Sequence, residues 1–149
     1  MGRGRSRGEH VAVLKRRFAD DVLSGAKTVE CRLTRTRREP WGRIEAGDVV
    51  HIKQSSGPYR AVCTVSFVEQ LECASFADLR RAFSRHRRAL GGDRAMLDAF
   101  LADRRAARFA VFVGIERVRP TSTGPSIAPL HGRAWLCLGA ANRVRRLAS

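Results

Sequence analysis

The chain has 149 residues, 44% hydrophobic and 29% charged, with 29 Lys and Arg against 14 acidic residues for a formal net charge of +15. That length holds one ordinary domain around one core and leaves no room for a second, and the composition is unlike that of a disordered chain. The charge imbalance makes polyanions, nucleic acid first, the leading partner class. Only Lys15, Lys27 and Lys53 are lysines, so a coding bias towards arginine is the alternative source of the excess.

In chain order, MGRGRSRGE (1–9) reads as a basic flexible tail, either a polyanion-contacting arm or an unstructured start. No apolar segment follows that would make it a secretory signal, and no stretch approaches the roughly 20 apolar residues of a membrane span. HVAVL (10–14) reads as a strand, and KRRFADDVLSG as a helix with Phe18, Val22 and Leu23 on one face and Gly25 as its stop. In TVECRL the period changes to two, which sets Val29, Cys31 and Leu33 on the core side and Glu30 with Arg32 on the other.

Residues 34–47 form an arginine-bearing excursion interrupted by Pro40, Gly42 and Gly47. DVVHIKQ follows as a strand with Val50 and Ile52 opposing Val49, His51 and Lys53, then SSGP as a turn. YRAVCTVSFVEQL is a strand long enough to bend around a small barrel. Ser75 and Asp78 make a capping-box-like start to a helix with Phe76, Leu79, Phe83 and Leu90 as its apolar stripe, broken by GGD. A second helix carries Met96, Leu97, Phe100 and Leu101. RFAVFVGIERV and AWLCLG complete the strands, with Trp135 as a core anchor, and 141–149 reads as a basic C-terminal tail. Strands around a helical insertion point to an α+β fold, a small mixed or antiparallel β-barrel with flanking helices.

Cys31, Cys63, Cys73 and Cys137 have no metal-ligand spacing and four scattered histidines form no ligand set, so the reading assigns no metal and no cofactor. Free cysteines in apolar runs fit an intracellular, reducing location, here taken as cytoplasmic. No phosphate-cradling loop, dinucleotide fingerprint or zinc-protease helix is present. What remains are basic and hydroxyl groups at strand and turn ends: Lys27, Lys53, Ser55 and Ser56, with Glu30 and Arg32 on one strand face. These groups suit a phosphate or a polarised carbonyl if the ends converge, and solvated turns and a surface ion pair if they do not. In RRAFSRHRR, Arg80, Arg81, Arg85, Arg87 and Arg88 make the densest basic patch outside the tails, suited to a nucleic-acid backbone or to solvent. Trp41 in the arginine-rich loop, and Tyr59 after the turn, either cap the barrel or stack on a ligand.

FADDVLSGAKTVECRL, with its helix followed by Gly-x-Lys-x-x-Glu-x-Arg, then GRIEAGDVVHIKQSSGP, and finally RFAVFVGIERV with GRAWLCL, resembles the ASCH domain of the PUA-like superfamily over residues 10–140. The resemblance implies a PUA-like barrel and a cleft that brings Lys27, Glu30 and Arg32 near Lys53 and the 55–58 turn. It also implies RNA or modified-nucleotide recognition, since PUA-like domains bind RNA or modified bases and the ASCH family is linked to RNA metabolism and transcriptional coactivation. Some relatives are ribonucleases, and one is a small amidohydrolase with threonine where this chain has Glu30. That departure sets recognition of RNA or a nucleotide first, a hydrolase or ribonuclease second, and a protein-interaction adaptor with protein partners third.

Overall fold

The computed structural model describes residues 7–138, so the C-terminal tail and all but the last residues of the N-terminal one lie outside the described residues. The elements are β1 (Glu9–Leu14), α1 (Arg16–Ser24), β2 (Val29–Thr34), β3 (Val49–Gln54), β4 (Tyr59–Glu72), α2 (Phe76–His86), α3 (Arg94–Asp103), β5 (Phe109–Pro120) and β6 (Trp135–Leu138). The strands make one sheet in the order β2-β5-β4-β3-β1-β6, mixed because β1 runs parallel to β3 while every other pair is antiparallel. No helix is long and apolar enough to cross a membrane among the described residues.

Curvature comes from the long strands. β4 pairs with β3 along its first half and with β5 along most of its length, and its register against β5 shifts between Val62 and Thr64 and again between Val65 and Phe67. Such bulges bend a strand and raise its twist, and Arg117 opposite them adopts φ 52°. The sheet therefore curls into a half-barrel whose edges, β2 and β6, approach one another. Arg32 of β2 spans the seam: its guanidinium lies 5.4 Å from the Trp135 ring of β6 and its Nη2 donates to Val13 O of β1 at 3.3 Å. The α+β architecture expected from the sequence, a small mixed β-barrel with flanking helices and a helical insertion, is observed with its sheet curled into a half-barrel.

The two larger of three apolar clusters flank the sheet. Inside the curl, Ala12, Leu14, Val50, Ile52, Ala61, Cys63, Val65, Val111, Val113 and Trp135 close on Ala19 and Val22 of α1, with Phe18 and Leu23 packed beside them. Outside it, Val29, Cys31, Leu33, Ala110 and Phe112 pack against Leu79, Ala82 and Phe83 of α2 and Leu97 and Leu101 of α3. β2 and β5 are therefore covered on both faces, which is why β5 reads as a nearly continuous apolar run.

The helix ends follow their sequence signals. Gly25 takes φ 86° after α1 and donates its N–H to Val22 O, Ser75 Oγ accepts Asp78 N at 3.2 Å, and Asp93 Oδ1 accepts Met96 N at 2.8 Å. Leu90 departs from the reading. α2 stops at His86 and a 3-10 turn covers Arg87–Ala89, because Ala89 O accepts Thr28 N and Leu90 bridges to Lys27.

A buried polar latch that the sequence did not expose ties β1 to β6. Trp135 Nε1 donates to His10 Nδ1 at 3.1 Å, which leaves Nε2 to donate to Asp48 Oδ2 at 2.9 Å. Asp48 also accepts Gly8 N and Glu45 N, so its carboxylate holds three donors at 1% exposure. Gly8 and Glu9, placed in the tail by composition, belong to the fold: Glu9 opens β1, and a side chain at Gly8 would put Cβ 2.7 Å from Asp48 Oδ2.

Asp48→Ala orphans these donors, and buried donors without acceptors each cost about 1–3 kcal/mol. A loss of at least about 3 kcal/mol is expected in urea unfolding, and an unchanged midpoint would contradict the latch.

Candidate functional site

The half-barrel seam holds the charged cluster. Glu30 and Arg32 stand opposite Val113 and Val111 of β5, both inner-core residues, so the face away from Val29, Cys31 and Leu33 is the inside of the curl rather than solvent. Glu30 is 7% exposed. Its Oε1 accepts Cys31 N at 2.9 Å and lies 3.1 Å from Lys27 Nζ, while its Oε2 accepts Arg32 Nη2 at 2.6 Å. Burial pushes the Glu30 carboxyl up, but the charges of Lys27 and Arg32 and the Cys31 N–H outweigh it and hold the group below the ordinary 4.5.

Lys27 is placed by both sides of the molecule. Its backbone N–H donates to Asp21 O of α1, and its Nζ donates to Val29 O at 2.9 Å and Leu90 O at 2.8 Å. With Glu30 as the third partner, every ammonium N–H is engaged. Gly91, at φ 73°, lets the chain pass close to it, since a Cβ there would stand 2.9 Å from Lys27 Cβ.

Arg32 is only partly satisfied. Its Nη2 is shared between Glu30 and Val13 O, while its buried Nε has no acceptor. Glu30 Oε2 accepts one hydrogen bond where two lone pairs exist. The pair thus carries an unused donor beside an unused acceptor.

Lys53 faces the outer side of β3, away from inward Val50 and Ile52, and its Nζ donates to Gly57 O at 2.7 Å. Ser55 and Ser56 are exposed, Ser56 at φ 54°. Ser55 N donates to Leu14 O, one residue along β1 from the carbonyl that Arg32 reaches. No hydrogen bond or ion pair among the described residues joins Lys53, Ser55 or Ser56 to Glu30 or Arg32. A strap missed by the sequence reading fixes this end: Arg60 donates to Gln54 Oε1 at 2.8 Å and to Asp20 Oδ1 of α1 at 2.5 Å, and that bond holds the Asp20 carboxyl below its usual range.

The α2 arginines are unequal. Arg81 pairs with Asp78, Arg85 with both oxygens of Glu69, and Arg87 Nη1 lies 2.8 Å from Asp98 Oδ1. Arg80 rests over the Phe76 ring, and Arg88 is exposed. Phe83 is fully buried and Phe76 packs on the outer core. Trp41 packs on the inner core and sits edge-on to Phe109, and the Tyr59 hydroxyl donates to Pro125 O at 2.6 Å. A groove of about 380 Å³ lined by Leu71, Cys73, Ala82 and Arg85 lies on the outer face, not at the seam.

This arrangement suits recognition better than bond-making. The ionised form of Glu30 is stabilised, which weakens it as a general base. Burial, first, and the Glu30 charge push the Cys31 thiol far above the ordinary 9.0, and burial pushes Cys63 up to about 12, so neither is an activated nucleophile. No group of three or more metal-ligating side chains forms among the described residues.

The sequence matches no family model and no curated protein. Solved structures do match. A single-substitution variant of the ASCH protein of Zymomonas mobilis superposes with a TM-score of 0.65 at 17% identity, covering 95% of this chain and 98% of that one. The fold is that of an ASCH protein. The unsubstituted Z. mobilis protein gives 0.63 at 16% identity over 94% and 93% of the two chains. The N-terminal domain of Staphylothermus marinus McrB gives 0.52 at 12% identity over 94% and 93%. The ASCH likeness extends over the whole half-barrel with its helices, so the resemblance read from the Lys-x-x-Glu-x-Arg segment holds at the level of fold.

Two outcomes follow from the cluster. A carboxyl held below its unfolded value contributes stability that is present above about pH 4.5 and lost as pH falls through the folded value. Glu30→Gln is expected to cost about 3 kcal/mol at pH 7, as breaking a buried pair does, with the gap to wild type narrowing below pH 4.5 in urea unfolding. A gap that stays constant from pH 7 to pH 3.5 would contradict the linkage. In thiol labelling at pH 8, Cys31, Cys63 and Cys73 are expected to react only after unfolding. Rapid native labelling of Cys31 would show the α2 and α3 cover over β2 to be open.

Proposed function

We propose that this chain is an RNA-binding module that reads the edge of a nucleobase at the half-barrel seam. The observation that carries the reading is the buried Arg32 Nε without an acceptor, set beside the spare lone pair of Glu30 Oε2. A donor and an acceptor side by side complement a base edge that offers a carbonyl next to an amino or imino group. An orphaned buried donor costs about 1–3 kcal/mol, and a ligand carbonyl removes that cost.

In this reading Lys27 positions Glu30 rather than touching the ligand, because its three N–H groups are spent on Val29, Leu90 and Glu30. Arg32 and Glu30 contact the base. Ser55 and Ser56, exposed on the turn beside the end of β1, and Lys53 next to them, contact sugar or phosphate along the approach. The net charge of +15 supplies salt-sensitive attraction to the strand. The ASCH resemblance, with its links to RNA metabolism, points the same way.

Arg32→Lys keeps the positive charge but removes the guanidinium fork with its Nε donor. Titration against single-stranded RNA oligomers and free nucleosides is expected to show about a tenfold loss of affinity for the preferred base, equivalent to about 1.4 kcal/mol, with the thermal midpoint monitored alongside. Equal affinity in wild type and a folded variant would remove the site assignment. Absence of RNA binding by the wild type would remove the reading altogether.

A further inference from the structure

The fold compensates most of the densest basic patch and leaves other arginines uncompensated. Along α2, Arg81, Arg85 and Arg87 each have a carboxylate partner in Asp78, Glu69 and Asp98. Of the arginines that form no ion pair among the described residues, six lie together: Arg35, Arg38, Arg80, Arg104, Arg105 and Arg108. They come from three stretches far apart in sequence and are gathered at one end of the sheet, where β2 and β4 finish and β5 starts.

The contacts that gather them are continuous. Arg108 N donates to Thr34 O, which sets the 35–38 loop beside the α3–β5 turn, and Cys73 N donates to Arg108 O, which brings in the start of α2. Arg37 lies over the Phe109 ring at 5.4 Å. Arg80 of α2 and Arg105 after α3 share the Phe76 ring, at 5.7 and 5.0 Å, and Arg104 stacks on Phe100 at 3.8 Å. A guanidinium stacked on a phenyl ring is held in orientation, and Arg104 Nη1 is fixed further by donating to Phe100 O at 3.1 Å. Nearby negative charge is sparse: Glu72 stands 3.8 Å from Arg37 Nη2, and the Asp103 charge acts on Arg104. Like charges crowded in this way repel, and a polyanion laid along them relieves the repulsion.

We propose that this ridge, the 35–38 loop with the 104–108 turn and Arg80, is the surface that holds the sugar-phosphate backbone of a nucleic-acid strand. The inference rests on the RNA-binding reading and adds a second place to it. Lys27 precedes β2 and the ridge follows it, so the six residues of β2, at about 3.3 Å each, separate the ridge from the start of the seam by about 20 Å. One strand then meets a salt-dependent contact at the ridge and a base-reading contact at the seam. Neutralised α2 contributes through Arg80 rather than along its length.

The test compares two variants by fluorescence anisotropy with a labelled single-stranded RNA 12-mer between 50 and 300 mM KCl. Arg35→Gln, Arg38→Gln and Arg105→Gln together remove three ridge charges, while Arg81→Gln with Arg85→Gln removes paired ones. All three ridge side chains are exposed, so the thermal midpoint is expected to hold. Each phosphate contact on single-stranded nucleic acid contributes about 0.7 to the slope of log K against log salt, so the ridge variant is expected to lose about 2 from that slope and the α2 variant very little. An unchanged slope in the ridge variant, or an equal loss in the α2 variant, overturns the ridge. If the slope survives the ridge variant while Arg32→Lys still weakens binding, the seam stands without it. If wild type binds no RNA, both readings fall.

Discussion

Glu30 carries its charge on the inner face of a curled sheet, at a depth where an unpaired carboxylate would be driven to neutrality. It stays ionised because Lys27 enters from the α1 side, Arg32 reaches across from the same strand, and the Cys31 amide closes the remaining approach to Oε1. Each partner is engaged elsewhere too. Lys27 Nζ binds the carbonyl that ends the α2 region, and Arg32 binds β1 and covers the indole of β6. One carboxylate thereby fixes the two cations that hold the edges of the half-barrel and the helical insertion in register.

The same arrangement accounts for the character of β2 and β5. An open antiparallel sheet commonly shows one polar face to water. Here the helical insertion covers the outer face and the curl encloses the inner one, so polar groups on either face must be satisfied internally. Within the seam that requirement is met at every Lys27 and Glu30 atom involved and missed at a single Arg32 nitrogen. In a densely paired cluster, one unmet donor is a stronger pointer to a ligand than any number of solvated charges at a turn.

Most elements were legible because period-two and helical patterns, Ser75 and Gly25 act within a few residues of where they sit. The facing of Glu30 and Arg32 was legible for the same reason. What that facing meant was not, because whether the second side of β2 is solvent or barrel interior depends on Val111 and Val113 of a distant strand. The saturation of Lys27 rests on a carbonyl 63 residues away, and the His10–Trp135 bond joins groups 125 residues apart. Long-range pairing also decided the arginines. Asp78 lies one helical turn from Arg81 and its pairing was readable, whereas Glu69 and Asp98 reach Arg85 and Arg87 only through the tertiary fold. Leu90 followed the helical stripe by spacing, yet its backbone was needed by Lys27 and Thr28 at the neighbouring bridge.

The latch of Asp48, His10 and Trp135 has a geometric corollary. It fastens β1 to β6 so that Glu9 faces Leu138 across a single antiparallel step, about 5 Å wide. The first residue of β1 and the last residue of β6 therefore stand side by side, at the margin opposite the arginine ridge in strand order. A domain with that geometry sits in a surface loop of a larger protein as readily as it stands alone, because the host chain is interrupted by no more than the width of a strand pair.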